Sequence, residues 1–206
     1  MFTARVKRLL AVMGLLELLL TVLCACVPAI NVARVLIALL PAFLPVWVVL
    51  GALLVWPVEK LISWLYLRQA KQLLAQRPDL IRVGITGSYG KTSVKFILGT
   101  ILREKYPTLV PPSSFNTPMG LTRVIRTRLT PSHRIFLAEM GARHVGDIKE
   151  LCALVHPTYG VLTSVGPQHL DTFKDIEHIK STKYELMEAV PEDGVCFFPD
   201  DGAICR

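Results

Sequence analysis

The sequence predicts an α/β domain on a parallel sheet, with a P-loop-type turn, preceded by a two-helix transmembrane hairpin. Three observations predict it. Between residues 9 and 56 the only charges are Glu17 and Arg34. From Ile81 onward, short β-rich runs alternate with helical segments, the pattern of a parallel sheet covered by helices. Between the first run and the first helix lies "GITGSYGKTS", Gly84 to Ser93, a glycine-rich turn.

The N-terminal part divides into two apolar stretches, about 9–27 and 35–56, which together make a hairpin unit over residues 1–56. Leu9 to Val27 is apolar except for Glu17 and Thr21, and Val35 to Trp56 carries no charge. Each matches the roughly 20 residues that cross a bilayer as a helix. The link "PAINVAR" is short enough only for a hairpin. Arg5, Lys7 and Arg8 ahead of the first stretch also suit a signal peptide, but the second stretch directly behind favours two spans. Basic residues flank the pair on both outer sides, at Arg5, Lys7 and Arg8 and again at Lys60, Arg68, Lys71 and Arg77. The positive-inside rule then puts both outer ends, and everything after residue 57, in the cytoplasm. The expected location is a cell inner membrane, multi-pass. Glu17, within the first span, receives no role.

The net charge of +7 does not point to nucleic acid, because much of it is this juxtamembrane set, which suits an anionic leaflet. The five cysteines show no metal or disulfide spacing. Residues 57–79 read as an amphipathic linker helix that lies along the membrane surface or extends the second span as a stalk, with apolar positions at Val58, Leu61, Ile62, Leu65, Ala70, Leu73 and Leu74.

Residues 80–206 supply the α/β part. Strands are expected at 81–86, 108–110, 134–140, 159–165 and from 195, with helices near 91–105, 119–129, 146–155 and 175–190. The chain ends at "PDDGAICR", just after a strand, so the domain reads as truncated and the sequence as part of a longer protein.

Ligands of parallel sheets gather beyond the carboxyl ends of the strands. The glycine turn, Glu139, His169, and the pair Asp200 and Asp201 all fall there. The turn is not the common phosphate loop, because the residue five before Gly90 is Ile85 and the glycines stand at Gly84 and Gly87. Gly87 and Gly90 would still let backbone N–H groups face a phosphate at a helix N-terminus. Lys91 would neutralise outer phosphates, Thr92 would offer a hydroxyl to Mg²⁺, and Glu139 could add a carboxylate. Taken singly, each has a plainer reading. The turn could be a mere connection, Glu139 a helix cap, His169 a loop residue, a base or a hydrogen-bonder, and Lys183 a solvated lysine.

Taken together, "TGSYGKTS", "AEMGARHVGDIKEL" and "SVGPQHLDTF" resemble the Mur ligase family, whose ATP loop reads T-G-T-N-G-K-T. The resemblance covers about 81–201, the first half of that family's central ATPase domain. It implies that Gly87, Ser88, Tyr89, Gly90, Lys91, Thr92 and Ser93 hold the phosphates of ATP, with Lys91 on the transferred group. It implies Thr92, Glu139 and His169 as Mg²⁺ ligands and Asn116, in "SFNTPMG", as a residue near the substrate. Lys183 matches a lysine that is carbamylated in many members. The implied reaction is ATP-dependent joining of D-alanyl-D-alanine to a UDP-muramoyl peptide through an acyl phosphate, in peptidoglycan precursor synthesis.

Several positions depart from the family. Tyr89 replaces Asn or Lys, Ser88 replaces Thr, and Ser114 and Thr117 replace asparagines. A membrane hairpin stands where the uridine-binding domain would be, and the C-terminal domain is not in the sequence, so these 206 residues alone are expected not to ligate. The alternatives are another acid–amine ligase of folylpolyglutamate or cyanophycin type, and a non-catalytic membrane-bound nucleotide-binding scaffold.

Overall fold

The computed structural model describes residues 3–26, 30–167, 173 and 175–200, and separates into two compact units, Met1–Leu65 and Tyr66–Arg206. In the first unit, helix α1 (Ala4–Ala25) starts at Thr3, whose hydroxyl accepts from the Val6 N–H. Helix α2 (Ile30–Leu39) runs into one 3-10 turn, Leu40–Phe43, and α3 covers Leu44–Ala75. Within this unit α1 and α3 lie antiparallel. Arg8 pairs with Glu59 at 2.6 Å, and a Cβ on Gly51 would come within 2.9 Å of the Met13 side chain.

Two expectations change here. The apolar stretch 35–56 is not one helix, because the 3-10 turn interrupts it. Pro41 has no N–H to give the residue four before it, which favours a break there. The link is shorter than "PAINVAR", since Ile30 to Arg34 are already helical. The linker 57–79 takes the second of its two expected forms, since α3 continues through Pro57 to Ala75. Proline at that point costs one backbone hydrogen bond, and the helix tolerates it.

In the second unit, β1 (Ile81–Thr86), β2 (Thr108–Leu109), β3 (Ile135–Glu139), β4 (Tyr159–Leu162) and β5 (Val195–Phe197) form a parallel sheet in the order β2-β3-β1-β4-β5. The connecting helices are α4 (Lys91–Arg103), α5 (Pro118–Arg128), α6 (Asp147–Val155) and α7 (Ile176–Ala189). The expected strand 159–165 ends at Leu162: Thr163 N–H still donates to the Thr86 carbonyl at the end of β1, while the Thr163 and Ser164 hydroxyls reach the Tyr89 carbonyl of the glycine turn.

Side-chain alternation sorts the core into two layers. Val83, Ile85, Ile135 and Leu137 pack with Val94, Leu98 and Leu102 of α4. Phe136 and Ala138 face the other way, onto Leu121 and Ile125 of α5, Leu151 of α6 and Ile179 and Leu186 of α7. Leu74, near the end of α3, joins that second layer. Arg82 secures the chain there by donating to the carbonyls of Leu74 and Arg77 at 2.6 and 3.0 Å.

This arrangement fixes where a ligand can sit. The connection leaving β1 goes to α4 on one face, while that leaving the adjacent β3 goes to α6 on the other. The crevice beyond β1 and β3 is therefore the topological switch point of the sheet.

Candidate active site

The glycine turn fills that crevice. Gly87 has φ +147° and Gly90, the N-cap of α4, has φ +79°. A Cβ at Gly87 would lie 2.1 Å from the Thr163 hydroxyl, so glycine is required there both for backbone and for space. The segment after β4 clasps the turn. Ser88 N–H donates to the Ser164 carbonyl at 2.8 Å, and Tyr89 N–H donates to the Ser164 hydroxyl at 3.0 Å. The buried Ser88 hydroxyl donates to the Gly166 carbonyl at 2.9 Å and accepts from the Gly166 N–H at 3.0 Å. Tyr89 is exposed, with its phenol donating to the Pro167 carbonyl at 3.1 Å.

Lys91, first residue of α4, curls back over its own loop. Its ammonium donates to the carbonyls of Gly87 and Ser88 at 2.6 and 2.9 Å. Burial lowers its pKa, with Glu139 pulling the other way. An anion entering the turn would offer this ammonium a stronger partner than two carbonyls.

Glu139 is the last residue of β3. Strand parity puts it on the same face as Ile135 and Leu137, and so toward α4. There the Thr92 hydroxyl donates to both of its oxygens at 3.1 Å. Asn116 Nδ2 donates to Oε1 at 3.2 Å, and Lys95 Nζ reaches Oε2 at 3.0 Å. Asn116 is itself placed by the Gly141 N–H, which donates to its backbone carbonyl at 3.0 Å. Ser114 stands 3.5 Å from the Thr92 hydroxyl.

Lys183 enters from α7 and is buried, 2% exposed. Burial, then the nearby charge of Lys91, pushes its pKa down to about 8, against the opposing carboxylates of Asp147 and Glu185. A cavity of about 440 Å³ opens beside these groups, bordered by Lys91, Asn116, Gly141, Arg143, His144 and Asp147.

The structure thus brings together Gly87, Ser88, Tyr89, Gly90, Lys91, Thr92, Asn116 and Glu139. Lys183 reaches the same edge, and Ser93 continues the first turn of α4. His169 and Asp201 lie outside the described residues. Among those described, no group of three or more His, Cys, Asp or Glu side chains forms a metal cluster. Sequence reasoning missed Lys95, which is fully buried. The available signal was its spacing: it stands one helical turn after Lys91 and therefore on the same side of α4.

Comparison with known proteins follows the same lines. The family profile "Mur ligase middle domain" matches residues 85–206. The chain is 40% identical over 136 residues to the UDP-N-acetylmuramoyl-tripeptide–D-alanyl-D-alanine ligase of Mycobacterium tuberculosis (strain ATCC 25618 / H37Rv), covering 66% of this chain and 26% of that protein. Against the enzyme of the same name from Escherichia coli (strain K12) it is 31% identical over 119 residues, 58% of this chain and 26% of that protein. The crystal structure of the MurF ligase from Thermotoga maritima in complex with ADP aligns with TM-score 0.63 at 33% identity, over 68% of this chain and 32% of that one. The chain spans about a quarter of the length of the curated relatives it matches.

Proposed function

Because the chain belongs to the Mur ligase family, we propose that its α/β unit is the nucleotide-binding half of an ATP-dependent ligase joining D-alanyl-D-alanine to a UDP-muramoyl peptide. The observation that carries this reading is the contact of Thr92 with Glu139 at 3.1 Å. It ties the phosphate turn of β1 to the carboxylate of β3 at the switch point. The identity to ligases of that name and the likeness to an ADP complex support it.

In the proposed reaction, a terminal carboxylate of the UDP-muramoyl peptide attacks the γ-phosphate of ATP, giving an acyl phosphate and ADP. The neutral amine of D-alanyl-D-alanine then attacks the acyl carbon, forming the amide and expelling phosphate. Loop N–H groups and Lys91 would hold the nucleotide phosphates in line with the attacking oxygen, and Asn116 borders the cavity where that oxygen must enter. Thr92 and Glu139 present hard oxygens only, a donor set that fits Mg²⁺. Bound there with His169 as a further ligand, Mg²⁺ would offset charge on the transferred phosphoryl group. With a pKa near 8, Lys183 holds an appreciable share of neutral amine at neutral pH, the form that adds CO₂ to become a carbamate.

The membrane half of the reading places α1 and the first part of α3 across the inner membrane, with the α/β unit in the cytoplasm. It is supported by a mean hydropathy of 2.1 in α1 and 1.7 in α3, and by leucines such as Leu15, Leu18, Leu53 and Leu54 left exposed. The same-end pairing of Arg8 with Glu59 suits a hairpin whose two outer ends share one side. The 3-10 turn at Leu40–Phe43 would then lie in the returning arm.

The protein, extracted from its own membranes, should release ADP from ATP only when UDP-muramoyl peptide and D-alanyl-D-alanine are both present. ADP release with a folate or arginine–aspartate acceptor instead would move it to another ligase branch. No acceptor-dependent release from any of them would favour the scaffold.

A further inference from the structure

Lys95 is the residue the proposed chemistry leaves unused, and its surroundings are unusual for a lysine. It is 0% exposed and its partner Glu139 is 1% exposed. Burying an ammonium is costly unless its charge is paired and its protons are bonded. Both conditions are met at two points in different segments: Nζ donates to Glu139 Oε2 at 3.0 Å and to the backbone carbonyl of Ser113. Ser113 has φ +53°, a left-handed conformation that a non-glycine residue keeps only where the surroundings enforce it. The loop so pinned carries Ser114, 3.5 Å from the Thr92 hydroxyl, and Asn116, which bonds Glu139 Oε1.

We propose that Lys95 is a positioning residue: its ammonium locks the Glu139 carboxylate and the 113–116 loop into the one arrangement that accepts a metal-bound nucleotide. The proposal rests on the ATP–Mg²⁺ reading of this site and assigns it one more part. With Lys95 in place, Glu139 Oε2 is held from behind, so the carboxylate cannot rotate away from Thr92. Without Lys95, Glu139 would be left buried with no cation. It would turn from its place beside Thr92, and Ser113 would lose the contact that holds its strained backbone. The phosphate turn would be untouched, because Lys91 rests on the Gly87 and Ser88 carbonyls and the loop itself is held by Thr163, Ser164 and Gly166.

This separation makes the role measurable. ADP affinity is compared by calorimetry in Mg²⁺ and in EDTA, for the wild-type chain, Lys95→Met and Lys95→Gln. Folding of each is verified by circular dichroism. The gain in affinity given by Mg²⁺ should fall at least tenfold in Lys95→Met, while the affinity in EDTA changes less than about threefold. Lys95→Gln, which keeps a donor for the Ser113 carbonyl without the charge, should fold even if Lys95→Met does not and should show the same loss. A Mg²⁺ gain equal to that of wild type in a folded variant would overturn the proposal, as would equal losses in both buffers. A wild-type chain that binds ADP in neither buffer would instead overturn the nucleotide reading beneath it.

Discussion

Two corners of the same sheet edge handle buried charge in opposite ways. At the end of β3, Glu139 has every neighbour it needs: Thr92, Asn116 and Lys95 all donate to it. On α7, one strand away, Lys183 is nearly as buried, yet its close charged neighbours include another cation, Lys91, and its pKa drops to about 8. One corner is complete as folded and the other is held in an unfavourable state. In functional sites, such stored cost marks the group whose state changes on binding or modification. The contrast supports the proposal that Glu139 and Lys95 fix geometry while Lys183 carries a charge that reaction partners alter.

The largest effect should come from breaking the satisfied corner. Glu139→Ala leaves Lys95 buried without a counter-ion and should cost about 3–5 kcal/mol in chemical denaturation. At the other corner the sign reverses. The folded-state pKa of Lys183 lies below its ordinary value of 10.5, so the unfolded chain binds the extra proton between about pH 8 and 10.5. Stability attributable to this residue should rise with pH across that window, and the penalty should be full below pH 8. Lys183→Met should therefore stabilise the protein at pH 7 by up to about 3 kcal/mol and flatten the pH profile from 8 to 10.5. A variant that is less stable at pH 7 would show that the ammonium is paired after all.

Smaller effects probe the clasp between the corners. Gly87→Ala adds a methyl 2.1 Å from the Thr163 hydroxyl at a φ of +147°. It should cost about 1–3 kcal/mol and weaken ADP binding in Mg²⁺ and EDTA alike, unlike changes at Lys95. Tyr89→Phe removes only the bond to the Pro167 carbonyl and should shift stability by no more than about 1 kcal/mol. Thermal unfolding alongside ADP titration separates the two.

The α/β elements were legible in the sequence because they alternate in type. Short β-branched runs such as "IRVGIT" and "RIFLAEM", bounded by glycine, proline or charge, mark β1 and β3 to within a residue. The glycine turn, Glu139 and Asn116 were legible as residue types at strand ends. What stayed hidden has physical causes. In residues 30–56 nearly every position is apolar, so no periodicity marks the break, and Pro41 within it and Pro45 just after it were the local signs. Thr163 and Ser164 read as a continuation of β4, but β1 ends at Thr86, which the Thr163 N–H still meets, and beyond it their hydroxyls bond the glycine turn. Lys95 reads as an ordinary helical lysine in "GKTSVKFIL". Only the parity of β3, which turns Glu139 toward α4, reveals its partner.

The central claim is that the crevice beyond β1 and β3 binds nucleotide phosphates, and amide chemical-shift mapping during titration of the chain with Mg²⁺–ADP tests it most directly. The largest shifts should fall on the N–H groups of Gly87 to Thr92, with smaller ones at Asn116 and Met140 where the loop and β3 meet. Shifts confined to other surfaces, or none at saturating ADP, would contradict it.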